Sequence, residues 1–193
     1  MKRLIPAVAI LLLVVAGYGA SGYVGLYRLA AAVDRRDVAA ASERIDFPRV
    51  RQSFTSQIIA TYLTVTGKRV SGFGVIIAGA GMSLAEPIVA EVMSAERLID
   101  LLQTGDVPIG VQQPASLGGP LASGTRADSL WISVSNSSFG FGNFNVWLPP
   151  KAPHHEKFVL HFKLSQWRWK LFAITLPEPV RVRLARELQK TIK

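Results

Sequence analysis

The 193-residue sequence contains no cysteine. That absence excludes disulfide scaffolds, thiolate zinc sites, iron–sulfur clusters and cysteine nucleophiles. Histidine is scarce as well. Of the three, His154 and His155 are neighbours in a proline-rich stretch, and adjacent side chains do not easily meet at one metal with proper geometry. No His-Glu-x-x-His, aspartate-rich calcium loop or Gly-x-Ser-x-Gly is present. The pairs Gly72/Gly74, Gly79/Gly81 and Gly140/Gly142 never extend to a dinucleotide or phosphate-loop spacing. The sequence thus implies no cofactor, no metal site and no catalytic residue. Charged residues make up only 18% against 49% hydrophobic, which excludes global disorder. Acidic residues are the scarcer sign, 13 against 22 basic, and the formal net charge of +9 favours anionic partners.

Charge is also missing from a long initial stretch. Lys2 and Arg3 form a short basic head, and the 24 residues from Leu4 to Tyr27 carry no charge. About 20 apolar residues span a bilayer. A basic head, an apolar core and then the small residues Ala20-Ser21-Gly22 also make the layout of a secretory signal, with cleavage after Gly22. If the segment is kept, Lys2 and Arg3 stay in the cytoplasm and the following domain faces outwards. In both cases the expected location is the bacterial cell envelope: anchored in the inner membrane with the domain outside the cytoplasm, or periplasmic or secreted after cleavage; the plainer account of the segment is a buried N-terminal helix of a cytoplasmic protein. The envelope location makes nucleic acid a poor partner. The expected plan is a signal or anchor over 1–22, one domain over 23–177 and a basic amphipathic helix over 178–193. The roughly 170 residues after the leader suffice to bury about two thirds of their unfolded surface.

From Tyr23 to Asp106 the apolar spacing is helical. Tyr23, Leu26, Tyr27, Ala30 and Val33 define one face, and Asp37 suits the N-cap of a short helix over Val38–Ile45. At Ile45-Asp46-Phe47-Pro48 the chain leaves that helix, and Pro48 presets the first turn of another with a Val50, Phe54, Ile58 and Tyr62 stripe ended by Gly67. Asp46, Phe47 and Pro48 are expected to form a structural junction, with Phe47 buried and Asp46 capping the helix. Gly72–Gly81 reads as a closely packed helix or loop, and Ser83–Met93 as a helix. Ser94 caps a further helix carrying Leu98, Leu101 and Leu102, and Gly105–Gly124 is a linker or long loop. From Ser129 to Leu176 the period switches to two. Strands are expected at Leu130–Val134, Asn143–Leu148, Phe158–Leu164 and Trp167–Leu171, with a Ser165-Gln166 turn and a bulge or covered end after Leu171, where Phe172, Ile174 and Leu176 put apolar residues on both faces. The fold class is α+β, with an N-terminal signal or anchor helix, a helical first half packed on a four-stranded antiparallel β-meander, and a short C-terminal amphipathic helix.

Two basic surfaces stand out. Strand alternation puts Trp131, Trp147, His161, Lys163, Arg168 and Lys170 on the face opposite the apolar one, which suits an anionic lipid or acidic polymer. With a Ser165-Gln166 turn, Lys163 faces Arg168 and His161 faces Lys170. In the tail, Val180, Leu184, Leu188 and Ile192 line one side, and Arg183, Arg186, Lys190 and Lys193 line the other. A solvated outer sheet face and a docked terminal helix are the plainer accounts of the same patterns.

Three segments resemble an uncharacterised bacterial family, domain of unknown function 2939. They are Tyr23-Val24-Gly25-Leu26-Tyr27-Arg28-Leu29 with Ala32-Val33-Asp34 and Arg36-Asp37; Ile45-Asp46-Phe47-Pro48-Arg49-Val50-Arg51; and Trp169-Lys170-Leu171 with Ile174 and Leu176-Pro177. Ser94-Ala95-Glu96-Arg97-Leu98 is similar to a further family segment, with arginine in place of glycine. The resemblance implies small proteins with a signal or anchor and no assigned activity. The functional expectation is a non-enzymatic binding or structural module, attached to the membrane by its N-terminal segment, for an anionic surface, lipid or partner protein. The alternative is a periplasmic small-ligand carrier or enzyme using a pocket between helices and sheet.

Overall fold

The computed structural model describes residues 4–65, 67, 94–104, 135–148 and 153–191. Helix α1 runs unbroken from Leu4 to Asp34, about 46 Å at 1.5 Å per residue. The leader–domain boundary expected at Gly22 therefore falls in mid-helix. Along α1 the environment changes instead of the backbone. Val8 to Gly17 are exposed, whereas Gly22, Gly25, Leu26, Leu29, Ala30, Ala32 and Val33 are buried. Tyr27, expected on the buried face, is exposed, because the buried stripe lies one residue round, through Gly22, Gly25 and Leu29.

The helix ends in a tight reversal. Arg36 takes a left-handed φ of 52°. Its N–H donates to the Val33 carbonyl at 3.0 Å and the Asp37 N–H to the Ala32 carbonyl at 2.9 Å, so two terminal carbonyls are satisfied. Asp37 caps α2 (Val38–Ser42), its Oδ1 accepting the Ala40 N–H at 3.0 Å. The helix is shorter than the sequence suggests, since Ile45 is drawn into a parallel bridge with Leu171. Asp46 then caps α3 (Phe47–Val65), accepting the Arg49 N–H at 3.3 Å. Phe47 packs against the core but is only partly buried, a correction to the expected burial. Its truncation should accordingly cost less than the ~3–5 kcal/mol of a fully buried phenylalanine. Val50 and Phe54 fill the core, and Gly67, at φ +67°, follows the end of the helix. Ser94 caps α4 (Ala95–Thr104), whose Leu98, Ile99, Leu101 and Leu102 are buried.

The sheet is a four-stranded antiparallel meander in the order β1 (Ser137–Gly140), β2 (Asn143–Leu148), β3 (Phe158–Ser165) and β4 (Arg168–Thr175). A 3-10 turn at His154–Glu156 precedes β3, and α5 (Glu178–Thr191) packs on α3. Two details differ from the alternation pattern. The first strand is Ser137–Gly140, reached through a Phe141-Gly142 turn in which Gly142 takes φ +73°; Leu130–Val134 lies outside the described residues, as do Gly72–Gly81, Ser83–Met93 and Gly105–Gly124. The second turn is Gln166-Trp167, both at positive φ, so Lys163 faces Lys170, Leu164 faces Trp169, and Trp167 leaves the strand. The expected bulge is present: Phe172 is the extra residue opposite the His161/Phe162 step.

Edge strand β4 is closed by main chain and one side chain. The Asp46 N–H donates to the Leu171 carbonyl and the Leu171 N–H to the Arg44 carbonyl, both at 2.8 Å. Further along, Gln57 donates from Nε2 to the Ile174 carbonyl at 2.7 Å and accepts the Leu176 N–H at 2.9 Å. An edge that would otherwise template further strands is thereby used up. The Asp-Phe-Pro junction thus serves the sheet as well as the helix it starts.

Helix α1 lies on the inner sheet face against Phe139, Phe144 and Trp169. Two glycines allow that approach. A Cβ on Gly25 would lie 2.6 Å from the Trp169 Cβ, and one on Gly22 would lie 2.7 Å from the Phe139 ring. Polar contacts fix the register: the Trp169 indole N–H donates to Ser21 Oγ at 2.9 Å, and the Gly142 N–H to the Tyr18 hydroxyl at 2.6 Å. Gly25→Ala should therefore destabilise the fold by about 1–3 kcal/mol through overpacking. The denaturant midpoint of the detergent-solubilised protein measures this, and an unchanged midpoint would mean that α1 is not pressed on the sheet.

Candidate functional site

The outer face of the sheet is assembled by β2, β3 and β4. Strand parity places His161 and Lys163 on it, and the Lys163–Lys170 and Ser165–Arg168 pairings bring Lys170 and Arg168 to the same side. Lys163 and Lys170 are thus like charges directly opposite each other, an arrangement that costs a few tenths of a kcal/mol to about 1 kcal/mol. The expected Lys163–Arg168 and His161–Lys170 pairs do not form. They depended on a turn one residue too early. Arg168 and Lys163 are exposed and Lys170 is half-exposed. Arg168 reaches Glu43 Oε2 at 3.5 Å, an exposed ion pair that contributes little to stability.

His161 plays a different part from its basic neighbours. Its Nδ1 meets Asn145 Oδ1 and its Nε2 meets Thr175 Oγ1, each at 2.8 Å, while Phe172 lies beside the ring at 6.1 Å. Burial pushes its pKa below the ordinary value, which favours the neutral imidazole. His161 therefore ties three strands together on this face, and burial disfavours its charged form. The positive charge gathers instead towards the end of the sheet where β1 joins β2 and β3 joins β4. There Arg44 is held below its usual range, first by burial and then by the charges of Arg28 and Arg168, with Glu43 opposing. Arg28 and Arg44 were not part of the sequence expectation. Nothing in strand alternation connects α1 and the α2–α3 junction with β4.

The remaining expected residues are dispersed. Trp147 is half-buried on the outer face opposite Val159, and Trp131 lies outside the described residues. Arg183 and Arg186 are exposed on α5, whose Val180, Leu184 and Ala185 are buried. The tail is thus a docked helix, and its basic residues start from the far end of β4. The side chain of Lys190 lies outside the described residues. Asp46, Phe47 and Pro48 form the junction beside β4. Among the described residues the one buried polar side chain is Thr55, which donates to the Arg51 carbonyl at 3.0 Å. Among them, too, no cluster of three metal-ligating side chains occurs.

The sign of the His161 shift gives a test. A histidine whose pKa is depressed by folding binds fewer protons than in the unfolded chain, so stability is full above the unfolded value and falls as pH drops below about 6.5 towards the folded one. Melting temperature measured across that range should fall on acidification in the parent protein and fall less in His161→Gln. Equal slopes would show that the imidazole is not held neutral by the fold.

No curated protein and no solved structure matches the chain. Of the three segments carrying the resemblance, Tyr23–Asp37 and Ile45–Arg51 lie within the stretch that a family model matches, and Trp169–Pro177 lies beyond it. That stretch, residues 11–101, matches the family described as "Protein of unknown function (DUF2939)".

Proposed function

We propose that the protein is a non-enzymatic, single-span membrane module of the bacterial envelope, whose N-terminal helix is retained and whose folded part binds anionic surfaces. The observation that carries this reading is the double use of α1. Val8–Asp34 is long and apolar enough to cross a membrane, its first part is exposed, and its second part is core. Cleavage after Gly22 would remove the Tyr18 and Ser21 oxygens that accept the Gly142 and Trp169 N–H groups. It would also place a new α-amine, with a pKa of about 8, at Tyr23, whose ring is 4.9 Å from that of Phe144. Retention avoids both costs.

Binding is assigned to the charged end of the sheet. Arg28 and Arg168 act on Arg44 there, with Glu43 opposing them, and Lys163 and Lys170 face each other on the adjoining strands. Between α1 and the sheet, the space that a ligand pocket would need is filled by Phe139, Phe144 and Trp169, whose rings lie 5.5–6.2 Å apart. The detergent-solubilised full chain should bind dextran sulfate, with affinity falling as salt rises. Lys163→Gln combined with Arg168→Gln should weaken that binding and leave the fold intact. Since α5 is docked, the control for the tail is Arg183→Gln with Arg186→Gln. Loss in the tail variant and none in the sheet variant would move the site to α5. Orientation follows from Lys2 and Arg3 remaining in the cytoplasm. A reporter active only outside the cytoplasm should work when fused after Lys193, and activity of a cytoplasm-only reporter there would reverse the assignment.

A further inference from the structure

We infer that the two hairpin tips carrying Phe141 and Trp167 are inserted in the bilayer beside the point where α1 leaves it, so that the domain is seated on the membrane and not held away from it. This rests on the reading of α1 as a retained span.

The first observation is one of exposure. Phe141 is 98% and Trp167 94% exposed, more than any other large apolar side chain among the described residues, those of the lipid-length part of α1 included. Both sit at the same end of the sheet. In a meander, the β1–β2 and β3–β4 turns share an end, and here the Leu164 N–H donates to the Gly142 carbonyl at 2.9 Å. That end is also where α1 departs. Tyr18 accepts the Gly142 N–H, and its ring lies 6.3 Å from that of Phe141.

The second observation concerns Trp167 itself. Gln166 and Trp167 take φ of 50° and 61°, positions where a two-residue hairpin prefers Asn-Gly. A tryptophan there carries left-handed strain and recovers nothing by packing, since it is almost wholly exposed. The fold alone gives no reason for an aromatic residue at this place. A membrane–water interface does, because tryptophan rings settle there.

The third observation is length. From Leu4 to Gly17, the part of α1 ahead of its first sheet contact at Tyr18, the rise is about 21 Å. The hydrocarbon core is about 30 Å thick. The missing depth, about 9 Å or six residues, is the stretch Tyr18–Tyr23, which runs alongside the hairpin ends. If the apolar helix fills the core, the tips that flank its last turns lie within the same leaflet. Arg168 and Lys163 then stand one and three residues behind the Gln166-Trp167 tip, about 3 and 10 Å along their strands, towards the depth of anionic headgroups.

The chain has no cysteine, so single cysteines introduced at chosen positions carry a fluorophore without background. The full chain is reconstituted in phosphatidylcholine vesicles containing phosphatidylglycerol, with labels at Leu11→Cys, Phe141→Cys, Trp167→Cys and, at the opposite end of the sheet, His155→Cys. Lipid-borne quenchers should dim the labels at 11, 141 and 167, and aqueous iodide should dim only the one at 155. Quenching by lipid at 11 but by iodide at 141 and 167 would overturn the seating while leaving the span in place. Iodide quenching at 11 would overturn the span and the seating with it. Lipid quenching at 155 as well would mean that the domain lies flat or is adsorbed, which also contradicts insertion by the tips.

Discussion

Helical continuity from Tyr18 to Gly25 is the constraint on which the rest of the molecule depends. A helix has no hinge where it changes surroundings, because each N–H bonds the carbonyl four residues back and fixes the direction of the next turn. The face carrying Tyr18, Ser21, Gly22 and Gly25 is clamped by Gly142, Phe139, Phe144 and Trp169. One and two turns further on, Leu29 and Val33 are completely buried, and Arg36 bonds α4 through Asp100 and Gln103. The exposed apolar turns before Tyr18 therefore have a set direction relative to the sheet. An anchor of this kind orients its domain as well as tethering it.

The sheet is shaped by the same demand. Trp169 has to sit under Gly25 and Ser21, so the β3–β4 turn falls on Gln166-Trp167 and expels Trp167 from the strand. That register sets Lys163 against Lys170. Further along, the bulge at Phe172 restores Ile174 to the inner face, where it is buried. The junction at Ile45–Asp46 and the amide of Gln57 then cover the outer edge of β4. Covalent order and packing thus place basic side chains, two exposed aromatic tips and the exit of the apolar helix at one end of the molecule.

Much of this was legible in the sequence wherever periodicity and capping agree. The caps at Asp37, Asp46 and Ser94, the buried leucines of α4, the end of α3 before Gly67 and the bulge at Phe172 all follow from local chemistry. The four-stranded meander was legible too. What was not legible depends on tertiary choice. Alternation cannot tell whether Trp167 or Trp169 takes the core place, since both have the same parity, and only the glycine notch on α1 decides it. The strand Ser137–Gly140 was missed because its alternation is short, although the Phe141-Gly142 turn pairs it directly with β2. The buried stripe of α1 begins at Tyr18 and Gly22, inside what composition alone treats as a leader. His161 reads as one of the basic residues of this face, but burial favours its neutral form, and its partners Asn145 and Thr175 come from different strands.

Retention of α1 is the central claim, and the intact mass of the protein purified from the membrane fraction tests it most directly. Retention predicts a mass that includes residues up to at least Lys2 at the N-terminus, with every molecule in the membrane pellet after alkaline extraction. A chain beginning at Tyr23, released in the soluble fraction and still folded, would contradict it, because the sheet would then stand without Tyr18, Ser21 and Gly22.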